Sequence, residues 1–172
     1  VVTHENYKDV LNELDKFEEV ACDTETTGLN AYGYEPSEML EMGLSGNSTH
    51  AYIIPAPLIP EFKSILEKKK IIFWNAPFDC AFLKQVGISP NAWFDGLLAH
   101  YSMDERAYSH GLKKVARIYL GCDDWEKDIH MYLPTRKKDI TSYAVIPTEK
   151  RYEYLAKDVT RTYQLKEALW ND

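Results

Sequence analysis

The sequence predicts an α/β sandwich around a mixed β-sheet, and three observations carry that expectation. Short apolar runs rich in strand-forming residues crowd the chain as far as Asp95. Helical repeats of apolar side chains separate those runs and then dominate from residue 97 onward. A turn-forming tetrapeptide, Ser45-Gly46-Asn47-Ser48, joins two of the runs and starts the sheet antiparallel. Strands first, helices interleaved and then prevailing, is the pattern of a sheet covered by helices.

Tyr7, Val10, Leu11, Leu14 and Phe17 recur at three- and four-residue steps, which predicts an amphipathic helix before the first strand. Residues 20–25 form that strand, the apolar Val20-Ala21-Cys22 giving way to Asp23-Thr24-Glu25. Residues 39–44 and 51–54 are two further strands, and the three together make the antiparallel start. A helix around 60–69 follows, with Phe62, Ile65 and Leu66 on its apolar side. Lys70-Ile71-Ile72-Phe73-Trp74 is continuous enough for a strand buried on both faces. Pro77 suits the first turn of a helix over 78–86, which Gly87 ends. Ala92-Trp93-Phe94-Asp95 is a fifth short strand. Helices are then expected over 97–103, over 112–120 with Gly121 closing it, and over 151–170. Between 123 and 148 the expectation is a helix around 125–132 and then a long surface loop carrying Arg136, Lys137 and Lys138.

The 172 residues amount to one domain of ordinary size, with no internal repeat or low-complexity segment. A hydrophobic share of 45% with 13% aromatics excludes a disordered tail. No apolar stretch approaches the roughly 20 residues that span a bilayer, so no membrane association is expected. The chain opens Val1-Val2-Thr3-His4, without a signal peptide or initiator Met, as expected of a processed chain or a module of something longer. Cys22, Cys80 and Cys122 are odd in number and lack CxxC spacing. That argues against a disulfide scaffold or structural zinc and for a reducing, intracellular compartment, with Cys22 and Cys80 acting as small buried hydrophobes. A net charge of −7 is unlike non-specific duplex binders, which are basic. An acidic domain still handles nucleic acid where bound metals supply the positive charge or a larger partner holds the polymer.

Three groups of polar residues carry the chemistry. Asp23 and Glu25 are two apart, so on a strand both project from one face. Two like charges that close need a proton or a cation to neutralise them; in isolation the pair also reads as solvated turn residues. Asn75 and Asp79 lie four apart where a strand hands over to a helix, a place for functional side chains in α/β sheets and equally for a helix cap. Tyr154 and Asp158 lie four apart inside a helix and share one face, although an Asp there is also compatible with a solvated surface. Taken together, Asp23, Glu25, Asp79 and Asp158 are the hard oxygen ligands that Mg²⁺ or Mn²⁺ prefer. A pair of such ions about 3.5–4 Å apart runs in-line phosphodiester hydrolysis, one generating hydroxide from water and the other stabilising the leaving oxygen. Tyr154, with an ordinary pKa near ~10, suits positioning of the attacking water rather than proton abstraction.

Asp-Thr-Glu-Thr-Thr-Gly-Leu (23–29), Asn-x3-Asp (75–79) and Tyr-x3-Asp (154–158) resemble the three exonuclease motifs of the DEDD superfamily. The match is to the tyrosine subclass, found in the proofreading domain of family-A DNA polymerases. The histidine subclass requires His five residues before Asp158, where this chain has Glu153. Phe94-Asp95 followed by Leu97-Leu98-Ala99, and His110-Gly111-Leu112 leading to Tyr119-Leu120-Gly121, extend the resemblance over nearly the whole chain. It implies a ribonuclease H-like fold, a five-stranded mixed sheet flanked by helices with the first strand central. It also implies two divalent ions, Mg²⁺ or Mn²⁺, held by Asp23, Glu25, Asp79 and Asp158, with the nucleophilic water held by Tyr154. Leu29 matches the position that wedges against terminal bases, and Thr26 and Asn75 match contacts to the 3′ nucleotide. His110 matches a place near the substrate, or else it is a structural histidine. Trp74 stands where many members have His, and Asp95-Gly96 where Asp-Thr is commoner. The segment 142–147 is more similar to phage-type than to bacterial polymerases.

The resemblance implies a 3′→5′ exonuclease acting on single-stranded or frayed 3′ DNA ends and releasing nucleoside 5′-monophosphates. It would be a monomeric module working with a polymerase domain in cis or in trans, in the cytoplasm or nucleoid, or in the host cytoplasm if phage-encoded. Two alternatives stay open: an RNA-trimming exoribonuclease similar to ribonuclease D, and a non-catalytic scaffold that binds nucleic acid. Arg136, Lys137, Lys138, Lys150 and Arg151 flank the last motif and are either phosphate guides or a solvated charge run.

Overall fold

Alternation along the central strand organises the molecule, because its even and odd residues enter different layers. The computed structural model describes residues 1–107, 109–134 and 142–170. Five strands, Glu19–Thr26 (β1), Met39–Ser45 (β2), Tyr52–Pro55 (β3), Lys70–Phe73 (β4) and Ala92–Asp95 (β5), form one sheet in the order β3-β2-β1-β4-β5. β1 and β2, and β2 and β3, pair antiparallel, whereas β4 runs parallel to both β1 and β5. The mixed sheet, its antiparallel start and its central first strand are as the sequence implies.

On one face, Val20 and Cys22 of β1, Met42 and Leu44 of β2, Ile54 of β3 and Ile71 and Phe73 of β4 join a single buried cluster. Helices Tyr7–Asp15 (α1), Lys63–Lys68 (α2) and Ala76–Gln85 (α3) cover that face, contributing Val10, Leu14, Ile65, Leu66, Phe82 and Leu83. The other face carries Ala21, Asp23 and Glu25 and is crossed by the long helix Thr148–Trp170 (α7). Gly96–Met103 (α4), Leu112–Leu120 (α5) and Lys127–His130 (α6) pack around α7, and side chains of α5, α6 and α7 share a second core with Trp74 and Trp125.

Some boundaries depart from the periodicity for identifiable reasons. Pro57 and Pro60 deny backbone donors to the segment before α2, so Ala56–Phe62 closes as a 3₁₀ helix and only Lys63–Lys68 is α-helical. The helix expected around 125–132 contracts to the single turn of α6. α7 begins at Thr148, directly after Pro147, with the Arg151 amide donating to the Pro147 carbonyl at 3.0 Å. Of the expected surface loop, Tyr143–Val145 forms a 3₁₀ turn and residues 135–141, with Arg136, Lys137 and Lys138, lie outside the described residues. Among the described residues no helix is long and apolar enough to cross a membrane.

Gly43 sets how closely α7 approaches the sheet. It pairs with Asp23 across β1 and β2. A Cβ there would fall 2.8 Å from Val159 Cγ1 and 2.9 Å from Leu155 Cγ, inside van der Waals contact. Leu155 and Val159 flank Asp158 on α7, so anything that lifts them also withdraws its carboxylate from β1. Gly43→Val is therefore expected to lower stability by about 1–3 kcal/mol through overpacking. Chemical denaturation measures that loss, and divalent-ion binding should weaken alongside it.

Candidate metal centre

Strand pleating and one helical face bring three distant carboxylates to one point. Asp23 and Glu25 sit at the C-terminal end of β1 on its α7-facing side, and Asp158 meets them from α7. One oxygen from each of the three lies within 4.8 Å of the others. Glu25 and Asp158 are buried and Asp23 is half-buried, so Asp158 does not occupy a solvated face. Tyr154, one turn earlier on α7, is buried with its ring against Tyr143.

Asp79 stands outside that triplet but beside it. It lies in the first turn of α3 and reaches across to β1, where its Oδ1 accepts the Thr24 amide at 2.9 Å and the Thr24 hydroxyl at 2.8 Å. It is buried, and it is the strongest negative neighbour of Asp23. The four acids named from sequence therefore gather around β1, three in mutual reach and the fourth pinned behind Asp23.

The electrostatics are those of crowded, buried negative charge. Burial first, and then the charge of Asp79, pushes Asp23 well above the ordinary carboxylate range. Burial and then Asp158 do the same to Glu25. Burial raises Asp79 to about 7 despite the Thr24 hydrogen bonds. Carboxylates so placed hold protons near neutrality unless positive charge takes their place. The hard-oxygen donor set fits a divalent ion of the Mg²⁺ or Mn²⁺ kind, which Asp23, Glu25 and Asp158 would hold with Asp79 alongside. Burial and then Asp158 push the Tyr154 phenol well above its usual value, so it stays protonated as a hydrogen-bonding group.

Four participants have no signature in the sequence. Lys113, in the first turn of α5, places its Nζ 2.7 Å from Asp158 Oδ2 and 4.4 Å from the Tyr154 ring centre. Trp125 Nε1 donates to Asp158 Oδ1 at 2.6 Å, so both oxygens of that carboxylate have partners. Thr24 fixes Asp79. Glu41, opposite Glu25 in the β1–β2 register, is a further buried acid, and the Arg151 guanidinium neutralises it. Arg151 also donates to the Ile146 carbonyl at 2.9 Å, which corrects its reading as a phosphate guide or solvated charge. Lys150 is a surface partner of Glu153 at 2.9 Å.

The substrate-facing residues expected from sequence divide into two groups. Leu29 is 78% exposed beside a cleft of about 460 Å³ whose lining includes Leu29, Tyr32, Asn75 and Phe78. Asn75 is the only non-glycine residue at positive φ among those described. Its amide and that of Ala76 donate to the Asp95 carboxylate at 3.1 and 2.8 Å, and the same carboxylate caps α4 through Leu97 at 2.9 Å. Thr26 and His110 point inward instead. The Thr26 hydroxyl closes the turn onto the Gly28 carbonyl at 2.7 Å. His110 Nδ1 lies 2.8 Å from His100 Nδ1, and its Nε2 lies 3.2 Å from the Ser109 hydroxyl. The two departures from the family pattern turn out to be one feature. A Cβ on Gly96 would lie 2.4 Å from Trp74 Cε3, so the large indole requires the glycine.

A family model described as 3′-5′ exonuclease matches residues 1–172, the whole chain. This chain belongs to the DNA polymerase A-type 3′-5′ exonuclease family. Among relatives, the exonuclease is 29% identical over 167 residues to the DNA polymerase of Escherichia phage T5, a match covering 85% of this chain and 19% of that protein. It therefore spans about a fifth of the polymerase's length. Solved structures that share its fold include two nucleases. Brucella melitensis NrnC with bound Mg²⁺ matches at 23% identity and a TM-score of 0.68, covering 91% of this chain and 73% of that one. Trypanosoma brucei RNase D in complex with RNA U12 matches at 17% and 0.76, covering 99% and 61%.

Two outcomes are expected of the site. Between the unfolded pKa of about 3.9 and the folded value, the folded exonuclease binds the extra Asp79 proton, so this group's contribution to stability falls as pH rises through that window. Urea unfolding with a chelator present should show Asp79→Asn gaining on the parent by on the order of 2–4 kcal/mol from pH 4 to pH 8. Gly96→Thr alone should cost about 1–3 kcal/mol, and Trp74→His should relieve it. A double-mutant cycle with no favourable coupling would show the two positions to be independent.

Proposed function

We propose that this exonuclease domain removes nucleotides from the 3′ end of single-stranded or frayed DNA by two-metal-ion hydrolysis, releasing nucleoside 5′-monophosphates. The same proposal makes residues 1–172 one module of a larger family-A polymerase, acting as its proofreader. The observation that carries the chemistry is the meeting of Asp23, Glu25 and Asp158 within 4.8 Å at the end of the central strand. Divalent ions bound there supply activation of the attacking water and neutralisation of the leaving oxygen. Asp23, Glu25 and Asp158 hold them, while Asp79 completes the set from α3. Tyr154, kept protonated, orients the attacking water through its hydroxyl. Leu29 stands at the mouth of the cleft that Asn75 lines, placed to wedge the terminal base. The remaining four-fifths of the relatives' length would then bring the 3′ end to a domain whose own charge is −7.

Ribonuclease D among the neighbours keeps an RNA substrate as the second reading. Matched 5′-labelled DNA and RNA oligonucleotides, incubated with Mg²⁺ or Mn²⁺, decide between them. The expected result is stepwise shortening of DNA from its 3′ end. Asp23→Asn or Asp158→Asn should reduce the rate by on the order of 10²–10³-fold or more, and Tyr154→Phe by less, as for loss of one preorganised electrostatic group. Preferential shortening of RNA would move the assignment to RNA trimming. Inertness of both polymers with either ion would leave only the scaffold reading.

A further inference from the structure

Lys113 is unusual for a lysine on a helix of this charge. Its side chain is 19% exposed, and its ammonium enters the carboxylate group rather than solvent. Nζ lies 2.7 Å from Asp158 Oδ2 and over the rings of Tyr154 and Trp125, at 4.4 and 5.5 Å from their centres. Burial works against its charge, but Asp158, Asp23 and Glu25 outweigh that, and it remains an ammonium. The three acids that hold it charged are the three whose oxygens converge within 4.8 Å. Nothing in catalysis as derived above uses this residue.

We propose that Lys113 is a resident counter-cation of the metal centre, an internal ammonium that competes with divalent ions for Asp158 and is exchanged for them on loading. The physical need is plain. Three converging carboxylates with a fourth behind them repel one another across a poorly solvated gap, and an ammonium on a flexible four-carbon stem is the side chain able to occupy that gap and then leave it. Lys113 sits where leaving is easy. It also lines a cleft of about 470 Å³ together with Gly111, Lys114, Arg117, Asp124 and Glu126, which gives its side chain room outside the acids. A compact ammonium satisfies Asp158 through one bond, whereas a divalent ion engages several carboxylates at once, so loading favours the exchange. The consequence is a nuclease whose centre stays assembled without metal but takes up ions against an internal competitor. Lys113 acts by competing with the ion and not on substrate, so it is not a catalytic residue.

The proposal rests on the cluster being a divalent-ion centre, and the test separates the two. Mn²⁺ binding is followed by titration calorimetry at pH 8, where protons compete least, for the parent, Lys113→Met and Lys113→Arg. Lys113→Met should bind Mn²⁺ tighter by roughly tenfold or more, since a unit charge a few ångströms away at an effective dielectric of about 20 outweighs a tenfold change in affinity. Lys113→Arg should stay close to the parent. A residue that merely orients Asp158 would give the opposite sign, so equal or weaker binding by Lys113→Met overturns the proposal and leaves the metal centre standing. Absence of Mn²⁺ binding by the parent overturns both. A second measurement needs no variant: amine acetylation of the parent, mapped by mass spectrometry, with and without Mg²⁺. Lys113 should be protected without the ion and gain reactivity by about tenfold with it, while exposed Lys63 stays constant, because release from a buried ion pair frees the amine. Unchanged Lys113 reactivity on Mg²⁺ loading overturns the exchange.

Discussion

Mutual repulsion among buried carboxylates is the constraint on which the rest of this structure depends. Asp23, Glu25, Asp79 and Asp158 are held where water cannot screen them, and burial is the leading influence on each. Left alone, such a group would protonate, swell apart or recruit positive charge. The surroundings supply partial answers to each acid in turn. Thr24 gives Asp79 two hydrogen bonds, Trp125 and Lys113 take the two oxygens of Asp158, and Arg151 neutralises the neighbouring Glu41. Among the described residues, Asp23 and Glu25 receive no comparable side-chain hydrogen-bond partner. That imbalance leaves negative charge concentrated at Asp23 and Glu25.

The fold's task is to keep that strained group assembled, and it does so through backbone more than through side chains. A central strand paired on both sides holds Asp23 and Glu25 at a fixed spacing. Gly43 lets α7 lie against the sheet close enough for Asp158 to reach them. Asn75 adopts a left-handed conformation to turn β4 sharply into α3, and the Asp95 carboxylate ties down the two amides that this turn exposes. Removing the side chain at Gly96 makes room for Trp74, whose indole then reaches the His110 carbonyl at 2.9 Å. At Gly43 and Gly96 the approach tolerates no extra atom.

Much of this architecture was legible in the chain. The strand at Ala92–Asp95 and the helix at Leu112–Leu120 fall where the apolar pattern puts them, and the central place of the first strand follows from the family resemblance. Asp23, Glu25 and Asp158 were recognisable because periods of two and four place them on shared faces, and those periods survive folding. Legibility ended where the signal was not periodic. Pro57 and Pro60 turned an apolar helix pattern into a 3₁₀ segment, and the run after Asp123 gave a single helical turn where about two were expected. Thr26 and His110 matched substrate positions by sequence but direct their polar atoms into the protein. Arg151 looked like one of a basic run and is a buried counter-ion.

By itself the sequence determined the order of strands and helices and singled out the acids and the tyrosine that the motifs share, because each depends on local spacing along one chain. Only the tertiary structure decided which charges face which. Lys113 and Trp125 are separated from Asp158 by 45 and 33 positions, and Arg151 from Glu41 by 110. Pairings at such distances leave no periodic trace. They arise when the sheet and α7 close on one another, and the low dielectric of the closed interior then makes those few contacts count.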